Sequence, residues 1–303
     1  MDMQSLFHHC VKLRQTAAGY YPARFTGGQF IYWDTLDPMW RATARCNAGA
    51  TLSFFTDDVD IELEYVVKNC FCGPVVFDIY ENDVLTEVIQ RGREKGPGKW
   101  RYRRRYAESI SKITIYLPYG CELYISRIGV ENYMPAPRPE GPTILAMGDS
   151  ITQGQQAVSP SLTYTGFLQR SLDATVINQG MAGYHFDART IPDDLPFQPD
   201  IITVAYGTND YSLIPHEKVA VQVPQYFDRL QQLYPETPVY IITPIWRGDL
   251  DENERTAPRF QRCPSFLPMA PSIPTRWALP STAQSWPASC SIKPFNATKK
   301  KPF

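Results

Sequence analysis

The stretch TILAMGDSITQG, residues 143–154, decides how the second half of the chain folds. Its first residues are typical of a short buried strand, and the segment after Gly148, Asp149 and Ser150 is able to begin a helix. A serine at a strand-to-helix turn exposes its hydroxyl beside backbone N–H groups that the helix does not use. The stretch therefore raises two questions: whether Ser150 is a nucleophile, and which residue accepts its proton.

The residues after this stretch alternate between strand-like and helix-like patterns. Strand candidates are TVINQG (175–180), PDIITVAYG (199–207) and TPVYIITP (237–244). Helix candidates are SLTYTGFLQRSLDA (161–174) and HEKVAVQVPQYFDRLQQLYPE (216–236), where Pro224 is expected to kink or divide the helix. This alternation predicts parallel βαβ units in an open sheet covered on both faces. Sites in such sheets lie at the carboxyl ends of the strands.

Three polar clusters fall at those predicted strand ends. They are Gly148-Asp149-Ser150, the segment from Asn178 to Gly183, and Gly207-Thr208-Asn209-Asp210. Gly183 can offer a backbone N–H without obstruction, and Asn209 can offer a side-chain N–H, as donors to an oxyanion. Each cluster alone is also typical of an ordinary turn or helix cap. Their order, each after a strand, favours a catalytic interpretation.

The motifs GDSITQG, NQGMAGY and GTND resemble the first three sequence blocks of the SGNH (GDSL-type) hydrolases, over about residues 141–250. The resemblance implies a flavodoxin-like, three-layer α/β/α domain. It implies that Ser150 is the nucleophile, and that the Ser150 N–H, Gly183 and Asn209 form the oxyanion hole. Gly148, Asp149 and Asp210 then support the site.

The general base stays unassigned, because members of this family carry a D-x-x-H element near the C-terminus and this sequence does not. An unassisted serine hydroxyl is a poor nucleophile near neutral pH. The histidines are His8, His9, His185 and His216, and none has an aspartate three residues before it. We expect His8 and His9 to be exposed, and His216 to lie on the surface or cap a helix. For His185 we expect a structural role or a place in the substrate wall.

Residues 20–133 carry β patterns, which predict an antiparallel sandwich. In DVDIELEYV (58–66) and Val67, apolar side chains alternate with acidic ones, and VVFDIYENDVLTEVI predicts two strands joined at Asn82-Asp83. The basic stretch RGREKGPGKWRYRRRY (91–106) is open to two interpretations. One is a surface that binds polyanions or sugars, and the other, which the near-neutral net charge favours, is a solvated hairpin with a Gly96-Pro97-Gly98 turn.

We therefore divide the chain into four parts. Residues 1–133 are a β-sandwich accessory domain, 134–142 a Pro-rich linker, 143–259 the hydrolase domain and 260–303 an atypical Pro-rich tail. By its architecture, the first part is similar to the sandwich domains that precede carbohydrate-acetylesterase members of the family. The tail has prolines every few residues and no helical period, so we expect it to be disordered, to lack a final strand, and to be an altered ending in place of the D-x-x-H segment.

Composition restricts the classes of function. The formal net charge of −1 gives no reason to expect a nucleic-acid partner or an anionic membrane surface, and no apolar run is long enough for a membrane span or a signal peptide. Seven cysteines, an odd number, favour a reducing compartment, so the expected location is the cytoplasm. Cys70 and Cys72 form no metal site with a second Cys or His pair in the sequence, and are interpreted as strand or turn cysteines.

The sequence thus predicts a hydrolase that cleaves carboxylic esters through a serine acyl-enzyme, with no metal or organic cofactor. Expected substrates are small acyl groups, particularly acetyl on a carbohydrate. One alternative is a carbohydrate-binding protein that no longer turns over, and another is a lipid or thioester hydrolase. Because the D-x-x-H block is absent, we expect little esterase activity from this chain.

Overall fold

The computed structural model describes residues 3–105 and 109–244, together with the backbone of 292–295. Helices and short 3-10 turns are few. The α-helices are α1 (Gly27–Asp34), α2 (Pro38–Ala44), α3 (Ser150–Gln153), α4 (Tyr164–Ser171), α5 (Thr208–Leu213) and α6 (His216–Leu233). The strands are β1 (Phe7–His8), β2 (Lys12–Thr16), β3 (Gly19–Ala23), β4 (Thr51–Thr56), β5 (Asp60–Cys70), β6 (Val75–Glu81), β7 (Val84–Arg91), β8 (Gly96–Arg103), β9 (Ser111–Tyr116), β10 (Cys121–Gly129), β11 (Tyr133–Pro135), β12 (Thr143–Gly148), β13 (Thr175–Gly180), β14 (Ile201–Ala205), β15 (Val239–Ile242) and β16 (Ile292–Phe295).

Two antiparallel sheets come first in the chain. One has the order β1-β4-β9-β6-β7, with β11 also paired to β4, and the other has the order β2-β3-β10-β5-β8. Inward side chains from both sheets meet in one hydrophobic core, for example Phe54 and Phe77 from the first and Leu63 and Trp100 from the second. Strand β11 extends the first sheet into the segment predicted as a linker.

Sequence alternation determines how these strands face. In β5, Ile61, Leu63, Tyr65 and Val67 are buried while the acidic residues between them are not, as predicted. Between β6 and β7, Asn82 and Asp83 have φ angles of 51° and 63°, which form the predicted turn.

The basic stretch forms strand β8, which corrects the predicted Gly96-Pro97-Gly98 turn. Gly96 to Gly98 pair in register with Val67 to Tyr65 of β5. Trp100 and Tyr102 are buried in the core, so they cannot stack on a ligand at the surface. The charged residues between them face outward, where Arg101 lies 2.8 Å from Asp60 and Lys99 lies 3.7 Å from Glu62. The positive charges therefore neutralise the acidic face of β5.

Helices α1 and α2 contradict the expectation that residues 20–133 are β structure throughout. Thr26 and Gln29 form a capping box at the start of α1, and Asp37 caps α2 just before Pro38. These capping signals are local and strong, and in this segment they outweigh the neighbouring β patterns.

The third sheet contains the parallel strands β13-β12-β14-β15, with β16 added at the edge. Its two faces pack against different helices. Leu145 and Met147 of β12 share a cluster with Val223 and Tyr226 of α6. Ile144 and Ala146, on the opposite face of β12, lie in a cluster against which Leu168 of α4 and Leu172, just after it, pack. The chain is thus a mixed α/β protein in which the helix-strand alternation of the sequence produces a sheet covered on both faces.

Strand β16 corrects the expectation that residues 260–303 contain no strand. It pairs antiparallel with β15, in register Val239 with Phe295 and Ile242 with Ile292. A flavodoxin-like sheet is parallel throughout, so this edge departs from the implied fold. An edge strand tolerates Pro294 because one side of its backbone needs no ladder partner. The rest of the tail lies outside the described residues, as do 245–259.

His8 and His9 are buried, with 3% and 7% of their surface exposed, which corrects their predicted exposure. The reason is that the N-terminal segment packs between the sheets. Its strand β1 pairs with β4, and the next residue, His9, accepts a hydrogen bond at Nδ1 from the backbone N–H of Val176 in β13 (3.2 Å).

Arg24 joins the N-terminal part of the chain to the parallel sheet. Its fully buried guanidinium donates to the backbone oxygens of Thr43 and Cys46, and also to those of Asn178 and Gly180 at the end of β13. A buried charge is tolerated when its donors are satisfied in this way. The contact holds the end of β13 against the segment that follows α2.

Candidate active site

The parallel register brings the three predicted polar clusters to one edge of the sheet. Gly148, the last residue of β12, pairs with Gly180 of β13 on one side and with Ala205 of β14 on the other. The predicted site residues follow these strand ends within a few positions: Ser150, Gly183 and Asn209. Strand pairing therefore brings the ends of the three strands that precede these motifs to one edge of the sheet.

Ser150 is the first residue of α3, at the strand-to-helix turn that the sequence predicts, and it is half-buried. Asp149 caps this helix by accepting a hydrogen bond from the Ile151 N–H at 2.9 Å. Gly148 makes the turn possible, because a Cβ there would lie 2.1 Å from Thr152 Oγ1 and 2.8 Å from the Ala205 carbonyl oxygen. The serine therefore sits where first-turn N–H groups have no helical acceptor.

Gly183 lies in the turn after β13 and has a φ of 73°, which a glycine adopts without strain. Gln153 of α3 connects this loop to the serine helix, since its Oε1 accepts a hydrogen bond from the Ala182 N–H at 3.0 Å. The Asn209 amide nitrogen donates to the Tyr184 carbonyl oxygen at 2.8 Å. Asn209 is thereby held against Tyr184, the residue after Gly183, and an amide nitrogen carries a second N–H.

Two buried carboxylates, Asp149 and Asp210, are next to Ser150 and Asn209 in the chain. Burial, together with the charge of Asp210, raises the pKa of Asp149 to about 6. Burial also raises the pKa of Asp210, whose Oδ1 accepts a hydrogen bond from the Phe186 N–H at 3.0 Å. Among the described residues Asp210 Oδ2 has no partner. Asp149 and Asp210 thus fix the start of α3 and the loop that carries His185.

Residues 146–264 match the model of the GDSL-like lipase/acylhydrolase family. This part of the chain is therefore similar in sequence to that family. No curated protein matches the sequence.

Solved structures show that the fold is known in other proteins. A GDSL-like lipase from Bacteroides ovatus has a TM-score of 0.67 and 18% identity, covering 84% of this chain and 77% of its own. The salicylyl-acyltransferase SsfX3 of a tetracycline biosynthetic pathway has a TM-score of 0.63 and 17% identity, covering 77% and 68%. A family two carbohydrate esterase from Clostridium thermocellum, in complex with cellohexaose, has a TM-score of 0.51 and 15% identity, covering 67% and 74%.

In the candidate site, His185 is held by two contacts. Its ring stacks on Tyr184, with centroids 4.7 Å apart and planes 12° apart, and its Nδ1 lies 3.2 Å from the Phe186 carbonyl oxygen. A carbonyl oxygen only accepts, so a hydrogen bond at this contact requires a proton on Nδ1. His216 is exposed at the first residue of α6, as predicted.

Helix α2 contributes two side chains to the candidate site that the sequence reasoning missed. A Cβ built on Gly183 would lie 3.6 Å from Met39 Cε and 3.8 Å from Trp40 Nε1. The Trp40 ring packs edge-on against Tyr184, with centroids 5.0 Å apart. Its indole N–H is buried and has no partner among the described residues. More than 100 residues separate Trp40 from Gly183 in the chain, and no local sequence pattern predicts the contact between them.

Asp187 anchors the same loop from the other side, and it too was missed. Its carboxylate accepts hydrogen bonds from the hydroxyls of Tyr32 (2.5 Å) and Tyr184 (2.8 Å) and an ion pair from Arg189 (2.9 Å). Burial alone would raise the pKa of Asp187, but the bonds from Arg189, Tyr32 and Tyr184 outweigh it and lower the pKa to about 2. The loop of Gly183 is therefore fixed to α1 of the N-terminal part.

No helix in the described ranges is long and apolar enough to cross a membrane.

Proposed function

We propose that the chain is a serine-dependent ester hydrolase in which Ser150 attacks a small acyl ester, with acetyl on a carbohydrate as the intended substrate. The observation that carries the proposal is the register of β12, β13 and β14, which brings Ser150, Gly183 and Asn209 to one sheet edge. Serine at a strand-to-helix turn, flanked by two further donors, is the arrangement that acyl transfer requires.

The chemistry proceeds in two steps. The Ser150 oxygen bonds to the ester carbonyl carbon, and the oxyanion that forms accepts hydrogen bonds from the N–H groups of Ser150 and Gly183 and from Asn209 Nδ2. Collapse of this intermediate breaks the ester C–O bond, and the proton that the Ser150 hydroxyl loses on attack passes, through imidazole or water, to the departing alcohol. Water then attacks the acyl-serine by the same route and releases the carboxylic acid.

The preference for a small acyl group rests on helix α2. Met39 and Trp40 lie within van der Waals distance of a Cβ built on Gly183, so they line one side of the space beside the proposed oxyanion hole. The Trp40 N–H, which has no partner within the part of the chain that the structure describes, offers a further donor to the substrate. The carbohydrate alcohol is suggested by the cellohexaose in the Clostridium thermocellum esterase, which has a similar fold.

The architecture belongs to the same proposal. Two antiparallel sheets with one shared core support a β-sandwich accessory domain before residue 134. Helices α4 and α6, which pack on opposite faces of the third sheet, support a three-layer α/β/α domain after residue 142. The accessory part would then serve catalysis by placing Met39 and Trp40 at the site.

We also propose that the chain has low esterase activity, because the 303-residue sequence has no histidine after His216 and no D-x-x-H element. Serine and its base act as a unit, so loss of the base alone removes most of the rate enhancement. Imidazole supplied in solution can replace a missing histidine if the serine and the oxyanion donors are intact.

The test is the rate of p-nitrophenyl acetate hydrolysis as the imidazole concentration rises. We expect the hydrolysis rate to rise more steeply with imidazole concentration for the native chain than for Ser150→Ala. The variant gives the background rate that does not involve Ser150. Ser171→Ala, at an exposed serine at the end of α4, should behave as the native chain does. With p-nitrophenyl octanoate the difference should be smaller. Equal slopes for the native chain and Ser150→Ala would exclude Ser150 as the nucleophile, and a larger effect with octanoate would contradict the small acyl group.

His185 provides a separate check on the missing base. If the chain hydrolyses the ester rapidly without imidazole, and His185→Ala removes that rate, then His185 Nε2 is the base and the low-activity proposal is wrong. The nucleophile assignment would survive this outcome.

The absent D-x-x-H element also favours a second candidate, a carbohydrate-binding protein that does not turn over. Calorimetry with cellohexaose distinguishes the two. Binding of the sugar by a chain that imidazole does not activate would support this second candidate over the esterase.

A further inference from the structure

Cys70 and Cys121 lie directly opposite each other at one end of the β5–β10 pair. The two residues are in register, and their Sγ atoms are 3.0 Å apart. Directly opposite residues on antiparallel strands have Cα atoms about 4.5–5.5 Å apart, which is within the range that a disulfide spans. Formation of an S–S bond therefore needs only a small movement of the two side chains.

The backbone around this pair is held in place by its neighbours. The N–H groups of Phe71 and Cys72 both donate to the Gly120 carbonyl oxygen, at 2.8 and 3.3 Å. The carbonyl oxygen of Cys121 accepts from the Asn47 N–H at 3.0 Å. A pair fixed in this way loses little conformational freedom when it is cross-linked.

We propose that Cys70 and Cys121 are a site of reversible oxidation, at which a low-molecular-weight disulfide such as glutathione disulfide converts the two thiols to an intramolecular disulfide. The proposal does not depend on the esterase activity. Among the described residues no group of three or more His, Cys, Asp or Glu is placed to hold a metal, so a metal site does not compete for these thiols there.

The environment of the two sulfurs assigns them different roles. Cys70 is half-buried, and a hydrogen bond from Cys121, together with the charges of Arg93 and Lys95, lowers the pKa of the Cys70 thiol to about 7 against the opposing effect of burial. Cys121 is buried, and the bond to Cys70 and its burial raise its pKa. Cys70 is therefore the attacking thiolate and Cys121 the resolving thiol.

The exchange balances in two steps. The Cys70 thiolate attacks one sulfur of glutathione disulfide, which forms a mixed disulfide and releases one glutathione thiolate. Cys121 loses its proton to that thiolate or to water and attacks the Cys70 sulfur, which releases the second glutathione. Two protein thiols are oxidised and one glutathione disulfide is reduced to two glutathiones.

The site lies close to the loops of the proposed active site. Tyr119, two residues before Cys121, accepts a hydrogen bond at its carbonyl oxygen from Gln153 Nε2 (3.3 Å) and donates one from its hydroxyl to the Ala157 carbonyl oxygen (3.1 Å). The proposed disulfide would therefore form two residues from Tyr119, which contacts the segment that follows Ser150.

The experiment titrates the reduced full-length chain with glutathione disulfide and counts thiols under denaturing conditions. We expect the count to fall from seven to five, because two of the seven cysteines become linked. Tryptic mapping without reductant should join the peptides 69–91 and 113–127. Cys72→Ser, the matched control on the first peptide, should still lose two thiols.

Cys70→Ser and Cys121→Ser should not form this cross-link at the same glutathione ratio. The urea midpoint of the native chain should rise on oxidation and return on reduction, while in these two variants it should not change. A constant thiol count, a stable glutathione adduct on Cys70 without the cross-link, or a cross-link that persists in Cys70→Ser would overturn the proposal.

Discussion

At the scale of the residue, the candidate site depends on its glycines as much as on its polar side chains. Gly148 and Gly180 are the last residues of the neighbouring strands β12 and β13. Helix α3 packs closely against Gly180, because a Cβ there would lie 2.1 Å from the Gln153 backbone nitrogen. Ser150 can stand at the turn only because these two positions leave room for α3.

Gly148→Ala tests this requirement. The added methyl would meet Thr152 Oγ1 and the Ala205 carbonyl oxygen, so we expect a loss of about 1–3 kcal/mol in the free energy of unfolding, measured by urea titration. The matched control is Gly27→Ala, where the nearest atom is 4.0 Å away and the change should stay within about 0.5 kcal/mol. Equal effects of the two substitutions would show that Gly148 is not sterically required.

The sequence predicted the position of Ser150 well because strand, turn and helix signals are all local. It did not predict Trp40 at Gly183 or Asp187 bonded to Tyr32. Such contacts arise from packing between distant segments, and no spacing within a motif encodes them.

At the scale of the element, the alternation of apolar and charged residues predicts a strand better than the types of residue present do. The basic stretch looked exposed because of its charge, and its glycines and proline looked like a turn. The pattern Lys99, Trp100, Arg101, Tyr102, Arg103 is instead a strand with one buried and one charged face. Capping signals, as at Asp37-Pro38, were equally readable and were overlooked for α2.

Adjacent substitutions on β8 test its two faces. Trp100→Ala should lower the free energy of unfolding by about 3–5 kcal/mol, because a buried indole leaves a cavity. Arg101→Ala should cost about 1 kcal/mol or less, because its ion pair with Asp60 is exposed. The same urea titration measures both, and a ranking in the opposite order would contradict the assignment of the buried face.

At the scale of the whole molecule, the N-terminal part and the parallel sheet are joined by buried polar contacts. Arg24, Gln29 and His9 each bond to the second part, to Gly180, Gln179 and Val176. The sequence analysis divided the chain at a Pro-rich segment and gave no sign of these bonds, because buried polar residues in sequence resemble exposed ones.

Stability should fall with acid through these buried histidines. Burial and nearby positive charge lower the pKa of His8 to about 4 and of His9 to about 3, against roughly 6.5 when unfolded. The folded state therefore binds fewer protons below pH 6.5, so its stability is full above that pH and is lost as the pH falls toward 3. Asp149, with its raised pKa, acts in the opposite direction between about pH 6 and 4.

His9→Asn isolates the histidine contribution. Asparagine tolerates the φ of 59° at this position and offers an oxygen to the Val176 N–H, but it does not titrate. Between pH 7.5 and 5 the native chain should lose up to about 2 kcal/mol more than this variant in the free energy of unfolding. Parallel pH profiles of the two proteins would show that His9 binds a proton as readily in the folded state as in the unfolded state.

The most direct test of the central claim is to locate the acyl group. The native chain and Ser150→Ala are treated with p-nitrophenyl acetate and imidazole, quenched in acid and digested with trypsin. Residues 128–170 form one tryptic peptide that contains Ser150 and no lysine, so nonspecific lysine acetylation does not obscure it. We predict acetyl on Ser150 in the native chain and an unmodified peptide in the variant. Acetyl groups only on other residues, with Ser150 unmodified at every quench time, would contradict the account.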